Sequence, residues 1–387
     1  MQIRNEIIVI GSEHYNALGV IRSLGIIGIK PTFIFLDGKE YYPCAKSKYI
    51  GNLIILSEPN EAKIIDFLIN YDSDKTYKPI IIPTGDPIVK ILDNNFNKLK
   101  DKYYVPNISN TQGMISKYMD KSYQMNLCDK YSVLHAKSFE IDLTKKRPEK
   151  LSIGKCIVKP LISADGKKDD ISICNNDYEL YETLKKFQKE NYKKVIVQEF
   201  IDYDTEYAMM GIAFHDKIII PGINDNINIY PKGRGNTSYS RMFPLEKFEL
   251  DVSPIINMIS SIDYTGLFEI ECFKKGKSLY FNEINLRNSA NLFAYYGNGI
   301  NYIYIYILLI LNKDRELENE KLYVDKSYYF VVDHLHIKQL KEGTVSLFQL
   351  LKHLKNSTKV IYFKYDRAPF FQKYKNAFKK RILRRKI

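Results

Sequence analysis

Glu269 and Glu271 sit at alternate positions of Phe268-Glu-Ile-Glu-Cys-Phe273, and Glu283, Asn285 and Arg287 do the same in Ser278-Leu-Tyr-Phe-Asn-Glu-Ile-Asn-Leu-Arg287. Lys274-Lys-Gly-Lys277 between the two runs reads as a turn, so the segment is expected to form a β-hairpin. Alternate side chains of a strand share a face, which brings Glu271 opposite Glu283 with Asn285 and Arg287 on the same side. Two carboxylates and an amide oxygen are hard ligands suited to Mg2+ or Mn2+. A guanidinium beside them is suited to a transferring phosphoryl group.

Other elements must position that hairpin. Ile7 to Ile10, Thr32 to Leu36 and Pro79 to Pro83 are apolar runs separated by helical stretches, the pattern of a small parallel α/β unit. Gly11-Ser12 leads into a helix over Asn16 to Leu24, but no G-x-G-x-x-G follows the first strand, so no dinucleotide is expected there. From Ser109 the pattern changes to helices over Thr111 to Lys130 and Asp177 to Asn191. Strands over Lys155 to Pro160, Lys194 to Phe200, Tyr207 to Phe214 and Lys217 to Pro221 are interleaved with them.

The ordered series from Asp120 to Arg287 resembles the ATP-grasp superfamily, whose hairpin carries one acidic residue and then E-x-N, here Glu271 followed by Glu283-Ile-Asn285-Leu-Arg287. Leu286 stands where a proline is usual. Asp120-Lys121 and Ile157-Val-Lys-Pro160 are similar to segments bearing the two phosphate-binding lysines, which the resemblance places at Lys121 and Lys159. Val197-Gln-Glu-Phe-Ile201 and Glu206 are similar to the interlobe hinge, implying that Glu199 and Ile201 face adenine and Glu206 the ribose. Leu161 to Lys168 occupies the place of the phosphate-covering loop, with Lys167 or Lys168 as a further phosphate contact or as solvated loop lysines. Ala45 to Asn52, Ile82 to Asp86 and Tyr230 to Ser238 resemble carboxylate-amine ligases, D-aspartate ligase among them, while the twelve-residue step from Glu271 to Glu283 looks like that of biotin carboxylase-type members.

The resemblance implies an α/β chain that becomes α+β in its ATP-grasp part. A Rossmann-like lobe would cover 1–108, a two-lobed ATP-grasp fold 109–315 (lobes 109–196 and 197–315), and a C-terminal extension 316–387. It also implies Mg2+ on Glu271, Glu283 and Asn285, ATP on Lys121, Lys159, Glu199, Ile201 and Glu206, and Arg287 as catalytic. The expected reaction joins a carboxylate to an amine through an acyl phosphate, with an amino acid and a lipid-linked envelope precursor as candidate substrates. Lys232, Arg234 and Arg241 are candidates for an anionic substrate, or else belong to a basic surface loop.

The remaining signals bound these expectations. Five scattered cysteines without a C-x-x-C pair suggest neither zinc nor a disulfide framework, and fit a reducing cytoplasm. Met1 runs into a strand with no signal-peptide pattern. Tyr302 to Leu311 is half the length needed to cross a bilayer, about 20 residues, and reads as a buried helix. His334 and His336 would share a face if they lay on a strand, but no third ligand is nearby, so packing is the expectation. Eight basic and no acidic residues lie from Lys373 to Ile387, with Phe370, Tyr374, Phe378 and Ile382 every fourth position. That is a basic amphipathic helix suited to an anionic membrane at the inner face, less to nucleic acid, or simply solvated. Two alternatives to the envelope ligase stand: a soluble amino-acid or dipeptide ligase, and an inactive membrane- or nucleic-acid-binding module. The sequence leaves oligomeric state open.

Overall fold

The computed structural model describes residues 3–73, 76–145, 153–161, 171–231 and 236–383. Lys167, Lys168, Lys232 and Arg234 lie outside them. Three sheets organise the described residues.

The N-terminal alternation folds as a parallel sheet of β1 (Ile7–Gly11), β2 (Thr32–Leu36), β3 (Asn52–Leu56) and β4 (Ile80–Pro83), in the order β3-β2-β1-β4. β1 is buried along its whole length, as a strand covered on both faces must be. The helices Tyr15–Ile26 and Asp86–Asn94 follow β1 and β4, so both start at one end of the sheet. β5 (Asn107–Ile108) pairs with the central sheet. A smaller antiparallel sheet contains β6 (Ser138–Asp142), β7 (Cys156–Pro160), β8 (Ser172–Cys174) and β9 (Lys194–Glu199), in the order β6-β9-β7-β8. Helix Asp177–Lys189 covers it through Leu180, Leu184 and Phe187, at the three- and four-residue spacing of one helix face.

The central sheet is built from β10 (Thr205–Phe214), β11 (Lys217–Ile219), β12 (Ile223–Tyr230), β13 (Asn236–Phe243), β14 (Tyr264–Lys275), β15 (Ser278–Asn285), β16 (Tyr328–Val331) and β17 (Ser357–Lys359). Its main order is β15-β14-β10-β12-β13-β16-β17. Both faces are covered, and the period of two decides which residue goes where. Met210, Ile212 and Leu267 join the cluster containing helix Tyr302–Ile310, whereas Met209, Ala213, Phe268 and Ile270 join the cluster beneath the opposite face. Glu269 and Glu271 fall on the Leu267 side. β16 and β17 make part of 316–387 continuous with this sheet rather than an appendage to it.

One expected element is corrected and two conditional readings are refined. The helix expected over Thr111 to Lys130 is two, Met114–Tyr118 and Lys121–Lys130, because Asp120 is extended and its side chain accepts from the Tyr123 amide. That N-cap puts Lys121 in the first helical turn. His334 and His336 lie on helix Asp333–Lys341, not a strand, so they do not share a face. His336 bridges Gln339 Oε1 (3.0 Å) and His353 Nδ1 (2.9 Å), while His334 packs beside Tyr15. Finally, helix Ala368–Leu383 forms, but Phe370 packs on Tyr362 and against the main core, and Tyr374 is half-buried. The start of its apolar stripe is therefore spent on the protein itself. No helix of the described residues is long and apolar enough to cross a membrane.

The C-terminal segment is tied down by one buried ion pair. Arg22, fully buried in helix Tyr15–Ile26, donates to Asp366 Oδ2 at 3.0 Å and to the carbonyls of Val360, Ile361 and Asp366. Asp366 also accepts from Ser47 Oγ and the Lys48 amide. Removing one partner strands the other charge, so Arg22→Met is expected to lower unfolding free energy by about 3–5 kcal/mol in urea titration. Acid should weaken the fold through His334, whose imidazole is brought down to about 3 by burial and then by Lys373, Lys338 and His14. Below the unfolded value near 6.5 the unfolded chain takes up a proton that the folded chain refuses. Stability is thus lost as pH falls from about 6.5 towards 3, by at most about 1.4 kcal/mol per pH unit from this group. His334→Phe should flatten the acid side of a plot of urea midpoint against pH.

Candidate active site

The hairpin forms in the expected register. β14 and β15 pair Glu269 with Asn285 and Glu271 with Glu283. The register then shifts, so that Cys272 opposes Phe281 and Asn282 is left over as a bulge. A bulge re-aims side chains, and here neighbouring Asn282 and Glu283 both line a cleft of about 1290 Å3. Asn282 Nδ2 donates to Glu271 Oε2 (3.3 Å), and its Oδ1 accepts from Lys159 Nζ (3.3 Å).

Most of the residues singled out in sequence meet in this cleft: Lys121, Lys159, Glu199, Ile201, Glu206, Glu271, Glu283, Asn285 and Arg287 all line it. Lys121 Nζ lies 3.2 Å from Glu283 Oε2. Lys159 enters from β7, and Glu199 ends β9 at the junction between the small and central sheets. Glu206 on β10 accepts from Asn226 Nδ2 at 2.7 Å. Arg241 is placed elsewhere. It pairs with Asp225 at 2.8 Å beside the Phe243 ring and is not among the residues lining the cleft. Asn226, Asn236 and Thr237 are the residues of β12 and β13 that line the cleft instead.

Sequence reasoning gave no role to four side chains that act here, Asp86, Glu269, Asn282 and Ser289. Asp86, at the start of its helix, holds Arg287 Nε at 2.9 Å, and Glu269 Oε2 holds Nη1 at 3.2 Å. Ser289 Oγ donates to the other Glu269 oxygen at 2.6 Å. Glu269 could have been read from its shared face with Glu271. Asp86 is 201 residues from Arg287, a separation that no local pattern bridges. Asn282 needed knowledge of the bulge.

Residues 131–290 match the family model of the ATP-grasp domain. The chain carries an ATP-grasp domain. Its sequence is 24% identical over 157 residues to a formate-dependent phosphoribosylglycinamide formyltransferase of Prochlorococcus marinus (strain AS9601), covering 38% of each chain. A protein of the same description from Hahella chejuensis is 26% identical over 160 residues, 39% of this chain and 38% of that one. The match thus spans well under half the length of these curated relatives. Among solved structures, an L-amino acid ligase from Bacillus licheniformis superposes with a TM-score of 0.64 at 14% identity, covering 86% of this chain and 80% of that one. A biotin carboxylase from Campylobacter jejuni gives 0.61 at 14% identity, covering 84% and 75%. At such identities the superpositions establish a shared fold.

The electrostatics of the ATP-grasp cleft follow from the packing. Burial disfavours the charge on Glu283, but Lys121 and Lys159 outweigh it and hold the carboxyl at about 2. Glu271 goes the other way: burial, then the neighbouring Glu283, Glu206 and Glu269, push it well above the usual carboxylate range. Burial and Lys121 bring the Lys159 ammonium down to about 8 against the pull of Glu283 and Glu271. Burial opposes the charge of Arg287, yet Asp86 and Glu269 raise it above the ordinary guanidinium value. Crowded carboxylates are a fit for a divalent cation. No group of three or more His, Cys, Asp or Glu ligands occurs among the described residues. Mg2+ takes one or two carboxylates and completes its shell with water and phosphate oxygens, so the pair Glu271 and Glu283 is enough of a protein contribution.

ATP titrations separate the two kinds of charge. Lys159→Met is expected to weaken ATP binding roughly tenfold to a hundredfold, the loss of one charge-assisted contact. Asp86→Asn, which touches Arg287 rather than the two lysines, should change the same dissociation constant by less than about threefold.

Proposed function

We propose that the chain is an ATP-dependent carboxylate-amine ligase that makes an amide through an acyl phosphate. The observation that carries this reading is the opposition of Glu271 and Glu283, with Asn285, to Lys121, Lys159 and Arg287 in one cleft. Glu271, Glu283 and Asn285 would hold Mg2+, which would neutralise charge developing on the transferring phosphoryl group. Lys121 and Lys159 bind the ATP phosphates, Glu199 and Ile201 the base, and Glu206 the ribose. A substrate carboxylate oxygen forms a bond to the γ-phosphorus as the bond to ADP breaks. The amine nitrogen then bonds to the acyl carbon, inorganic phosphate leaves, and the nitrogen gives up a proton. Arg287, fixed by Asp86 and Glu269, stabilises the anionic oxygens in both steps. In this reading the 1–108 lobe supplies Asp86, and 109–315 the rest of the machinery.

The finer reading assigns an amino acid as one substrate and an envelope precursor at the inner face of the membrane as the other. It is supported by the concentration of basic charge at the C-terminus. A soluble amino-acid or dipeptide ligase is the second reading, favoured by the fold shared with an L-amino acid ligase. An inactive module would have no reason to keep so many buried charges, each costly to desolvate.

Mg2+-dependent phosphate release from ATP, measured across D- and L-amino acids with and without peptidoglycan or capsule precursors, tests the proposal. One pair should stimulate release, and Glu283→Gln should reduce it at least about a hundredfold. An absence of ATP binding and hydrolysis with every pair would overturn the reading in favour of the binding module.

A further inference from the structure

Helix Leu347–Lys355 turns an apolar face away from the protein. Leu347 is 58% exposed, Phe348 76% and Leu351 58%. The exposure is not fraying: Ser346 and Gln349 form a reciprocal capping box, and Leu350 is buried underneath. The opposite side of the helix packs on helix Asp333–Lys341 and on β16 and β17. Lys352 and Lys355, both exposed, stand one turn beyond Phe348 and Leu351, so they flank the same face.

The charge along the chain is as uneven as the hydrophobicity of this face. Fifteen of the 58 Lys and Arg but two of the 45 Asp and Glu lie in residues 338–387. The first 337 residues therefore carry equal numbers of the two signs, and the whole formal charge of +13 belongs to the last fifty. An apolar face flanked by lysines, within a segment of one sign, matches a surface that is anionic outside and apolar just beneath.

We infer that Leu347, Phe348 and Leu351 insert into an anionic lipid surface, with Lys352 and Lys355 on the headgroups. The inference deepens the reading of a membrane-presented acceptor, but rests on no step of the ligase chemistry. It relocates the apolar contact from Phe370 and Tyr374, which the fold uses, to a helix whose apolar face is left over.

Co-sedimentation of the full chain without ATP tests it, using vesicles of phosphatidylcholine alone and of an equal mixture with phosphatidylserine. Binding to the mixed vesicles alone is expected, weakening about tenfold or more on going from low salt to about 0.5 M. Phe348→Ser with Leu351→Ser should lower the partition coefficient about tenfold. Lys352→Glu with Lys355→Glu should lower it further at low salt, each variant retaining its circular dichroism and ATP affinity. Equal binding to both vesicle types, or wild-type binding by the Ser variant, overturns the proposal. So does a wild-type dimer that the Ser variant dissociates in the absence of vesicle binding, since a second copy would then be the occupant. Because ATP is absent, failure here leaves the ligase reading standing, and failure of phosphate release leaves this one standing.

Discussion

A buried charge is tolerable only beside its opposite, and the cleft is arranged around that constraint. In its enclosed part Lys121, Lys159 and Arg287 face Asp86, Glu269, Glu271 and Glu283. Acids outnumber cations along this cleft, which Glu199, Asp202 and Glu206 also line, and the crowding appears at Glu271, pushed well above the usual carboxylate range by burial and then by Glu283, Glu206 and Glu269. A divalent cation held there would relieve the repulsion that otherwise favours a proton. Burial, and then Lys121 beside it, bring the Lys159 ammonium down to about 8 against the pull of Glu283 and Glu271.

Holding those charges in place requires contacts between parts of the chain that are remote in sequence. Arg287 ends the hairpin, yet one of its two carboxylates comes from the N-terminal lobe. Asn16 reinforces the junction, donating to the carbonyls of Thr84 and Asn288 while accepting from the Asn288 side chain. A shift of the N-terminal sheet would therefore move the guanidinium directly. Lys121 and Lys159 are referred to the hairpin from the other side, Lys121 through Glu283 and Lys159 through Asn282. Gln124 strengthens that link by exchanging hydrogen bonds with the backbone of Ile284. The hairpin is the common reference for both lobes.

That division sets what could be read from sequence. Periodicity of two places Glu269, Glu271, Glu283 and Asn285 on one face because strand geometry is local. The parallel sheet is legible in its alternation of apolar runs and helices for the same reason. Local geometry also fixed Lys121, since a capping aspartate before a lysine marks the first turn of a helix even where the helix itself was drawn too long. Asp86 was invisible because its role is defined by a partner across the fold, and Asn282 because one extra residue in a strand shifts the face of everything after it. Arg241 shows the converse: a basic residue near the site in sequence finds Asp225 at 2.8 Å and turns away from the cleft.

The separation of charge along the chain then acquires a physical meaning. ATP is an anion, and a strongly basic body would attract it from a distance, but the first 337 residues are formally neutral. In the proposed reading, affinity for the phosphates comes from Lys121 and Lys159 at short range, where a low dielectric strengthens each contact. Charges in the C-terminal segment are screened within about 8 Å at physiological salt. If they engage a lipid surface as inferred, the groups of the cleft still take their charge balance at short range from one another, Arg287 from Asp86 and Glu269 and Glu283 from Lys121 and Lys159.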